Sequence, residues 1–407
     1  MFDIVVEQMI YGGSGIARMD NGRIVLVPFT LPGEKVTIEA FNESNRNLTG
    51  KPIQIEYPNV NRVDPPCPYY SLCGGCHYQH VDYSFQLEIK KQILKEQLER
   101  LGGLGNSYIQ ATVASPRNLN YRNHVQFHLD STGKPGFQKA LSHDVIPIEK
   151  CLLLEEPLNE LLRSLSFESD TGLSRIALRD DGQGTPVLFM TGDSKNPPEF
   201  AVDFPLNVVY RGPVGDMVLS GENFNLFDIN GKRFQVSAGS FFQTNRDIAS
   251  CMIDLLMENL KFGKTDTVLD CYCGVGFFSA FIADKVQKII GIESSEDACS
   301  DFAINLDEYD HIDLYQGYVE HVLPELDLHP DIVIIDPPRA GIAPAAIKAL
   351  IKSNPKKIAY ISCDPSTLAR DLKILVSSNY VIQKIIPMDM FSQTYHIETM
   401  TFLTKNE

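Results

Sequence analysis

The 407-residue sequence lacks three features that would each assign a protein to a class. No apolar run reaches the roughly 18 residues that a bilayer-spanning helix needs. The first residues, MFDIVVEQMIYGG, do not show a basic start followed by an apolar stretch, so we expect no signal peptide and a cytoplasmic protein. A surplus of basic residues is also missing: 36 Lys and Arg face 52 Asp and Glu, with a formal net charge of −16. This acidic balance argues, at first sight, against nucleic acid as the partner.

The charge is unevenly distributed along the chain. Residues 236–407 carry 14 basic and 24 acidic residues, whereas residues 86–150 carry nine basic and six acidic ones. The second segment also contains Tyr121, His124 and Phe127, whose rings could stack on unpaired bases. Whole-chain charge is therefore a poor guide to the partner. An RNA bound through shape, stacking and a few cations would show a shallow salt dependence.

The order of strand-like and helix-like segments predicts a multidomain α/β protein. Residues 1–57 contain short β-rich stretches separated by turn signals, which is typical of a small β-barrel. Residues 58–235 hold a cysteine group, an amphipathic helix at 82–101 that could pack on the C-terminal domain, and then mostly strands. In residues 236–407, short apolar strands alternate with helices, which predicts a Rossmann-like, doubly wound sheet.

A glycine-rich turn follows one strand of the C-terminal region. The sequence DCYCGVG runs from a strand into a helix, and Glu293 ends the next strand 23 residues after Asp270. Glycines let the backbone approach a ligand closely, and an acid at this position commonly holds ribose hydroxyls. The third glycine of a dinucleotide-binding loop is missing from the sequence. A nucleoside without a pyrophosphate fits better, and S-adenosylmethionine is the first candidate.

Two further strand ends carry distinctive groups. Asp336 opens DPPRAG, and because a stiff Asp-Pro-Pro turn also occurs in methyltransferases that act on base nitrogens, this motif alone does not name the reaction. Cys363 lies between a strand and a helix in ISCDPSTLAR, where the helix N-terminus should favour the thiolate, a soft nucleophile. Strand ends of a parallel sheet share one rim, so we expect both residues near Asp270 and Glu293.

A thiolate beside a methyl donor suggests methylation of uracil at C5. Addition of the thiolate to C6 makes an enolate whose C5 can attack a methyl group, and a general base must then remove the C5 proton. The segment DMFSQTYHIE supplies two candidates for this base, His396 and Glu398, which share one face if the segment is a strand. Chemistry alone leaves the choice between them open.

Five motifs in order, SFFQTN, DCYCGVG, DPPRAG, SCDPSTLARD and DMFSQTYHIE, resemble the RNA (uracil-5)-methyltransferase family. The resemblance implies that Cys363 is the nucleophile and Glu398 the proton-abstracting base. Phe241 stands where the family has an aromatic residue near the target base. Phe277 departs from the pattern, because some members carry a polar residue in the glycine loop. The residues that match the family's S-adenosylmethionine positions are Gln243, Tyr272, Glu293 and Asp336.

Nine cysteines in a cytoplasmic chain are not expected to form a disulfide framework. The four considered as metal ligands are Cys67, Cys73, Cys76 and Cys151. Their spacing alone leaves zinc and iron–sulfur open, and His77 and His80 could join a zinc site with mixed ligands. The spacing is similar to that of the same methyltransferase family, where four cysteines hold a [4Fe–4S] cluster. The resemblance therefore implies this cluster, in a structural or RNA-contacting role.

The N-terminal segment, with GSGIA and VLVPFTLPGEKV, resembles a TRAM domain, a small RNA-binding barrel. The combined resemblance implies a monomeric enzyme that converts a uridine in structured RNA to 5-methyluridine. Large-subunit (23S) ribosomal RNA is the first expected substrate, because TRAM and cluster occur together more often in the ribosomal branch, and transfer RNA is the second.

Two rival functions remain at the level of sequence. One is an RNA-binding protein with an inactive transferase domain, against which the intact Cys363 and Glu398 argue. The other is amino-group methylation of adenine through the DPPR motif. That reaction would leave Cys363 without a role.

Overall fold

The structure is a computed structural model that describes residues 1–19, 21–43, 47–105, 108–140, 142–169, 171–182 and 184–406. These residues form three large β-sheets, one separate hairpin and eight α-helices. Within the described ranges, none of the helices combines the length and the apolar character needed to cross a membrane.

The N-terminal sheet contains six strands and has a core of its own. The strands are β1 (Phe2–Val5), β2 (Gln8–Met9), β3 (Ser14–Arg18), β4 (Ile24–Pro28), β5 (Lys35–Glu43) and β6 (Asn47–Tyr57). Their order in the sheet is β1-β5-β6-β4-β3-β2. Side chains alternate across each strand, so that Val25 and Val27 in β4 are fully buried while Ile24 and Leu26 are half-buried. The buried set forms a compact apolar cluster.

Helix α1 (Tyr83–Gln97) follows the turns that carry the first cysteines. The Asp82 carboxylate caps its start by accepting the backbone N–H of Ser84, and a π turn, Leu98–Gly102, continues it. Gly103 ends the helical segment in the left-handed region, at φ 65°. The predicted amphipathic helix and its glycine stop are thus confirmed.

The central region contains a seven-stranded sheet and one helix. The helix was not predicted from the sequence. The elements are β7 (His124–Leu129), β8 (Pro135–Gln138), β9 (Val145–Pro147), α2 (Glu156–Ser164), β10 (Leu173–Arg179), β11 (Val187–Gly192), β12 (Asn207–Gly212) and β13 (Gly215–Ser220). The strand order is β13-β12-β11-β10-β7-β8-β9. Leu158, Leu161 and Leu162 of α2 are buried against the sheet, at the spacing of one helix face.

A two-stranded hairpin connects the central sheet to the C-terminal region. It consists of β14 (Phe224–Ile229) and β15 (Lys232–Ser237). Phe227 and Phe234 are fully buried in the hydrophobic cluster of the C-terminal sheet. The hairpin thus packs against the C-terminal sheet, although most of it precedes residue 236. The boundary predicted from the sequence, between residues 235 and 236, falls inside β15.

The C-terminal sheet has seven strands with helices on both faces. Its elements are α3 (Arg246–Asn259), β16 (Thr267–Cys271), α4 (Phe277–Ile282), β17 (Lys288–Glu293), α5 (Glu296–Asn305), β18 (Ile312–Gln316), α6 (Val319–Val322), β19 (Ile332–Ile335), α7 (Pro344–Ser353), β20 (Lys357–Ser362), α8 (Pro365–Ser377), β21 (Tyr380–Met388) and β22 (Glu398–Lys405). The order is β18-β17-β16-β19-β20-β22-β21. Strands β16 to β20 are parallel, and β22 runs antiparallel to both neighbours.

This order confirms the predicted doubly wound sheet and locates its ligand crevice. Starting from the centre of the sheet, β16, β17 and β18 follow one another toward one edge, and β19 and β20 follow one another toward the other. The direction thus reverses between β16 and β19, and ligands of such sheets bind outside the strand ends at this switch point. The two helix layers include α3, α4 and α5 on one face and α7 and α8 on the other.

One small hydrophobic cluster joins the N-terminal region, the cysteine segment, α1 and the C-terminal region. Its buried members are Met9, Leu31, Tyr78, Val81, Ile89, Ile93 and Ile397. They come from the N-terminal sheet, the cysteine segment, α1 and the segment that precedes β22. Helix α1 also packs against α8 and β21. Burial of this shared surface fixes the N-terminal sheet and the cysteine segment beside the rim of the C-terminal sheet.

Candidate active site

The glycine loop after β16 has a left-handed backbone conformation that few residue types adopt readily. Tyr272 has φ 62°, which is uncommon for a residue with a bulky side chain, and Gly274 and Gly276 have φ 55° and 85°. A Cβ atom at Gly276 would lie 2.8 Å from Leu306, so this glycine permits close packing on the end of α5. A Cβ atom at Gly274 would meet no atom within 4 Å. The loop therefore leaves open space at Gly274, at the switch point.

Glu293 is fixed directly beside this space. One oxygen of its carboxylate accepts the backbone N–H of Gly274 at 3.0 Å. The other oxygen accepts the N–H groups of Ser294 and Ser295, both at 2.7 Å. The carboxylate is thus held by three backbone donors on the rim of the sheet, in the position that the sequence predicted for an acid that binds ribose.

Two more carboxyl groups lie at the switch point. Asp270 is fully buried and accepts the Ser279 hydroxyl at 2.6 Å, while its other oxygen has no partner within the described part of the chain. Burial raises the pKa of Asp270 to about 7, and the charges of Asp336 and Glu293 add to the shift. Burial alone raises the pKa of Asp336 to about 7. The predicted convergence of these strand ends is confirmed.

Three other residues singled out in the sequence, Gln243, Phe241 and Phe277, occupy different environments. Gln243 is half-buried, and its backbone carbonyl accepts the Asn123 side chain at 3.2 Å, which ties it to the central sheet. Phe241 is 67% exposed. Phe277 is buried, with its ring 5.7 Å from that of Phe234, so it packs in the core on the helix side of the loop. Its apolar character follows from this packing.

Cys363 lies in the turn between β20 and α8. The Asp364 carboxylate caps α8 by accepting two first-turn N–H groups. Burial raises the pKa of Cys363 to about 12, and the charges of Glu398 and Asp336 add to the rise, whereas Arg339 lowers it. The prediction that the helix N-terminus yields a resting thiolate is therefore wrong. Burial and two carboxyl groups outweigh the helix end, whose first donors Asp364 already occupies.

The two candidate bases differ in their surroundings. Glu398 is the first residue of β22 and is nearly buried; burial raises its pKa well above the usual value, Asp336 adds to the rise and Arg339 opposes it. His396 lies in the irregular segment two residues before the strand, so the condition for a shared strand face is not met. Its ring nitrogens lie 3.4 Å from an Arg339 nitrogen, and burial, with Arg339 adding, lowers its pKa to about 3. The imidazole is therefore neutral.

A buried polar network holds the segment that leads to both candidates. The Lys90 ammonium of α1 contacts a carboxylate oxygen of Asp389 at 2.5 Å, and both side chains are fully buried. Lys90 also donates to the carbonyl oxygen of Phe391 at 3.1 Å. The hydroxyls of Tyr83 and Ser392 donate to the other Asp389 oxygen, at 2.7 and 2.6 Å. Loss of either partner would leave a buried charge unpaired, so this network fastens the segment to α1.

One cavity borders this segment, and a second cavity adjoins the first. The first, of about 340 Å³, is lined by Gly74, Gly75, His77, Tyr121, Arg122, Val125, Gln126, Phe137, Phe391, Thr394, Tyr395 and His396. The second, of about 490 Å³, is lined by Gly74, Gly75, Gln126, His128, Phe137, Gln138, Lys139, Ser142 and His143. Both have the size of a ligand pocket and carry rings and cationic groups. Together they extend from the segment before β22 to strands β7 and β8.

The four predicted metal ligands line one small cavity of about 40 Å³. They are Cys67, Cys73, Cys76 and Cys151. Burial raises the pKa of Cys73 to about 11 and that of Cys76 to about 12, and in both cases the charge of Cys151 adds to the rise. Among the described residues, no three His, Cys, Asp or Glu side chains form a group that could hold a metal ion. The structure thus brings the four cysteines together without forming a closed single-metal site.

Neither histidine of the cysteine segment belongs to this cavity. The Nδ1 atom of His80 lies 2.6 Å from the hydroxyl of Tyr70. The ring of His77 packs edge-on against Tyr395, with centroids 4.6 Å apart. Both rings are directed to other partners, and the described lining of the cavity includes neither. A zinc site with mixed Cys and His ligands is therefore not supported.

Comparison with known proteins identifies the family. The family model for tRNA (Uracil-5-)-methyltransferase matches residues 200–316 and 323–406, and the TRAM domain model matches residues 2–53. An uncharacterized RNA methyltransferase of Thermotoga maritima is 31% identical, and the match covers 99% of this chain and 98% of that protein. The chain belongs to the RNA (uracil-5)-methyltransferase family. It is thus an RNA methyltransferase that uses S-adenosylmethionine, and residues 2–53 are its TRAM domain.

Two further relatives extend the match. An uncharacterized RNA methyltransferase of Listeria monocytogenes is 32% identical over 99% of this chain and 97% of its own. The crystal structure of Pyrococcus abyssi tRNA (uracil-54, C5)-methyltransferase with S-adenosyl-L-homocysteine is similar, with a TM-score of 0.76 at 23% identity. That similarity covers 99% of this chain and 100% of the other. The fold is thus shared along the whole chain.

Proposed function

We propose that this RNA methyltransferase converts a uridine in structured RNA to 5-methyluridine. The observation that carries the proposal is the grouping of Cys363, Glu398 and Asp336 at the rim of the C-terminal sheet. The charges of Glu398 and Asp336 raise the pKa of the thiol, and Asp336 also raises the pKa of Glu398. Ser362 pairs with Thr399 across β20 and β22, so Cys363 and Glu398 lie side by side where adjacent strands end and begin, and Asp336 follows the neighbouring strand β19. The three groups are therefore placed to act on a single base.

The proposed reaction uses Cys363 as nucleophile and Glu398 as base. The sulfur adds to C6 of uracil, C5 takes the methyl group, Glu398 removes the C5 proton, and the C6–S bond then breaks to release the thiolate. S-adenosylmethionine supplies the methyl group when it is bound. The residues proposed to hold it are Gln243, Tyr272, Glu293 and Asp336. Open space at Gly274 and the backbone-held carboxylate of Glu293 support this assignment.

Arg339 is suited to assist the reaction. It lowers the pKa of both Cys363 and Glu398, and therefore favours the ionised forms that attack and proton removal require. We favour Glu398 over His396 as the base, because the pKa of an effective base lies near the operating pH. Burial moves the pKa of the carboxyl group upward, toward neutrality, and moves that of the imidazole down to about 3.

The adjoining cavities support an RNA partner despite the acidic composition. Their described lining includes the cationic side chains Arg122 and Lys139 and the rings of His128 and Phe137, which are half-buried. Stacking on rings and contact with a few cations suit an unpaired, flipped-out base and the strand beside it. Of the rings named from the sequence of segment 86–150, Tyr121 and Phe127 are fully buried, so the prediction that they stack on bases is wrong.

We propose large-subunit ribosomal RNA as the substrate, since the chain combines a TRAM domain with a four-cysteine group. Transfer RNA is the second candidate, favoured by the name of the matching family model and by the Pyrococcus abyssi enzyme. Mapping of 5-methyluridine in both RNA classes from a deletion strain tests the choice. We expect one or more sites in 23S ribosomal RNA to lose the methyl group, and all of them to regain it on complementation. Loss confined to transfer RNA would contradict the ribosomal assignment.

We propose that Cys67, Cys73, Cys76 and Cys151 hold a [4Fe–4S] cluster. In such a cluster each thiolate binds a different iron, so the four sulfurs need not converge on one ion. Buried thiols whose charges repel one another are stabilised as thiolates by bound metal. No electron transfer is needed for methylation, so we assign the cluster a structural role beside the RNA cavities.

Protein purified without oxygen should be brown and contain about four irons per chain. Replacement of Cys73 by Ser should lower the iron content, because one of four ligands becomes a poor one. The matched Cys251→Ser variant, changed at a half-exposed cysteine in α3, should keep its iron. A colourless wild-type protein with one zinc per chain would exclude the cluster.

We further propose a division into three regions: residues 1–57 form the TRAM-like barrel, residues 58–235 hold the cluster and bind RNA, and residues 236–407 carry the chemistry. Separate hydrophobic clusters in the N-terminal, central and C-terminal sheets support this division. The hairpin at 224–237 packs with the third region.

A further inference from the structure

One side chain of the TRAM domain reaches the candidate nucleophile. The turn between β2 and β3 carries Tyr11, whose hydroxyl donates to the backbone carbonyl of Cys363 at 3.4 Å. The Tyr11 ring also packs edge-on against Tyr395, with centroids 5.4 Å apart and planes at 87°. Tyr11 therefore contacts both segments that carry reacting groups: the turn with Cys363 and the segment that leads to Glu398.

The backbone around Tyr11 is seated on the rest of the protein. Gly12 and Gly13 adopt the left-handed region at φ 104° and 85°. A Cβ atom at Gly13 would lie 3.0 Å from the Cβ of His77, so the turn rests directly on the cysteine segment. Met9, at the end of β2, is buried in the cluster that joins the N-terminal region to the C-terminal region. Packing on both sides thus fixes where the Tyr11 side chain lies.

The hydroxyl of Tyr11 is in a setting that keeps it a donor. The side chain is half-buried, and burial raises its pKa, with the negative charge of Asp364 as the next contribution. Asp364 itself caps α8. The hydroxyl is therefore neutral. It faces two acceptors in the turn around Cys363, the backbone carbonyl of Cys363 and the carboxylate of Asp364.

We propose that Tyr11 is a positioning residue for Cys363. Its hydroxyl holds the strand-to-helix turn and its ring holds Tyr395, so that the thiol and the base keep the geometry that attack on C6 needs. The inference rests on the proposed role of Cys363 as nucleophile. It gives the TRAM domain a part in the chemical step, in addition to RNA binding.

The Tyr11→Phe variant of the full-length protein tests this role. The probe is a large-subunit ribosomal RNA transcript made with 5-fluorouridine in place of uridine, with S-adenosylmethionine present. We expect the rate of covalent adduct formation at saturating RNA to fall about three- to tenfold, the scale of one lost hydrogen bond. The RNA dissociation constant, measured by filter binding, should stay within about twofold. Tyr315→Phe, at a partly exposed tyrosine of the edge strand β18, should match wild type in both measurements.

Tyr11→Ala should be at least as slow as Tyr11→Phe, because it also removes the ring that contacts Tyr395. Two results would overturn the inference: adduct formation at the wild-type rate in Tyr11→Phe, or weaker RNA binding with an unchanged rate at saturation. The second would make Tyr11 an RNA contact. If Cys363→Ala also forms the adduct, the proposed function fails; if Cys363→Ala is inert and Tyr11→Phe is normal, only the positioning role fails.

Discussion

Replacement of Cys363 by Ala should abolish both RNA methylation and covalent trapping of 5-fluorouridine RNA. The reaction begins with a bond between the sulfur and C6, and alanine cannot form it. Removal of a covalent nucleophile typically costs about 10⁴-fold or more in rate, so residual turnover should be undetectable. Fluorine at C5 leaves no proton to remove, so in the wild-type protein the adduct should persist on a denaturing gel.

The control for this variant is Cys251→Ala. Cys251 is another half-exposed cysteine whose pKa burial raises, but it lies on α3, away from the rim. It should methylate and trap RNA as wild type does. Retained methylation in Cys363→Ala would remove the nucleophile from the mechanism and revive methylation of a base nitrogen through the DPPR motif.

Replacement of Glu398 by Gln should have the second largest effect, at a later step. Sulfur addition and methyl transfer do not need the carboxylate, so a methylated covalent complex should form on ordinary uridine RNA. Its breakdown needs a base and should slow by about 10²- to 10⁴-fold. The complex should therefore accumulate, visible as a slowly migrating band in the presence of S-adenosylmethionine.

The pH dependence of breakdown provides the readout that separates the two candidate bases. Burial raises the pKa of Glu398, so the ionised base becomes more abundant as pH rises, and the wild-type breakdown rate should rise with it. This rise should disappear in Glu398→Gln. The matched variant His396→Gln should keep it. Rapid breakdown in Glu398→Gln together with slow breakdown in His396→Gln would transfer the role to the imidazole.

Positions at strand ends could be predicted well from the sequence. Asp270, Glu293 and Asp336 each follow a short apolar run, and the parallel arrangement of such runs places their ends on one rim. Local signals, such as the glycines of DCYCGVG and the prolines of DPPRAG, mark these ends without any knowledge of tertiary structure. The convergence of these acids at the switch point follows from topology alone.

Ionisation states could not be predicted in the same way. The position of Cys363 before a helix suggested a thiolate, but its pKa is raised mainly by burial and then by two residues that are distant in the sequence, Glu398 at the start of β22 and Asp336 directly after β19. Helix α2 was missed for a related reason. Its leucines have the spacing of one helix face, but nine residues are too short a helix to be stable alone, and burial against the central sheet stabilises it.

Two contacts that the sequence analysis missed had visible but weak signals. Lys90 stands on the apolar face of α1 beside Ile89 and Ile93, where a buried lysine needs a carboxylate partner. Asp389 supplies it from 299 positions away. Tyr11 precedes two glycines in a turn, which indicates a close approach of the backbone. In neither case does the local sequence reveal the partner, because the contact joins separate regions.

The central claim is that Cys363 bonds covalently to a pyrimidine of the RNA substrate. The most direct test is mass spectrometry of peptides from wild-type protein trapped on 5-fluorouridine ribosomal RNA and digested with protease and nuclease. We predict that the peptide containing Cys363 carries the mass of a methylated 5-fluorouridine nucleotide and that the sulfur is the attachment site. A modified nucleotide attached at another residue, or full RNA methylation without any peptide adduct, would contradict this account.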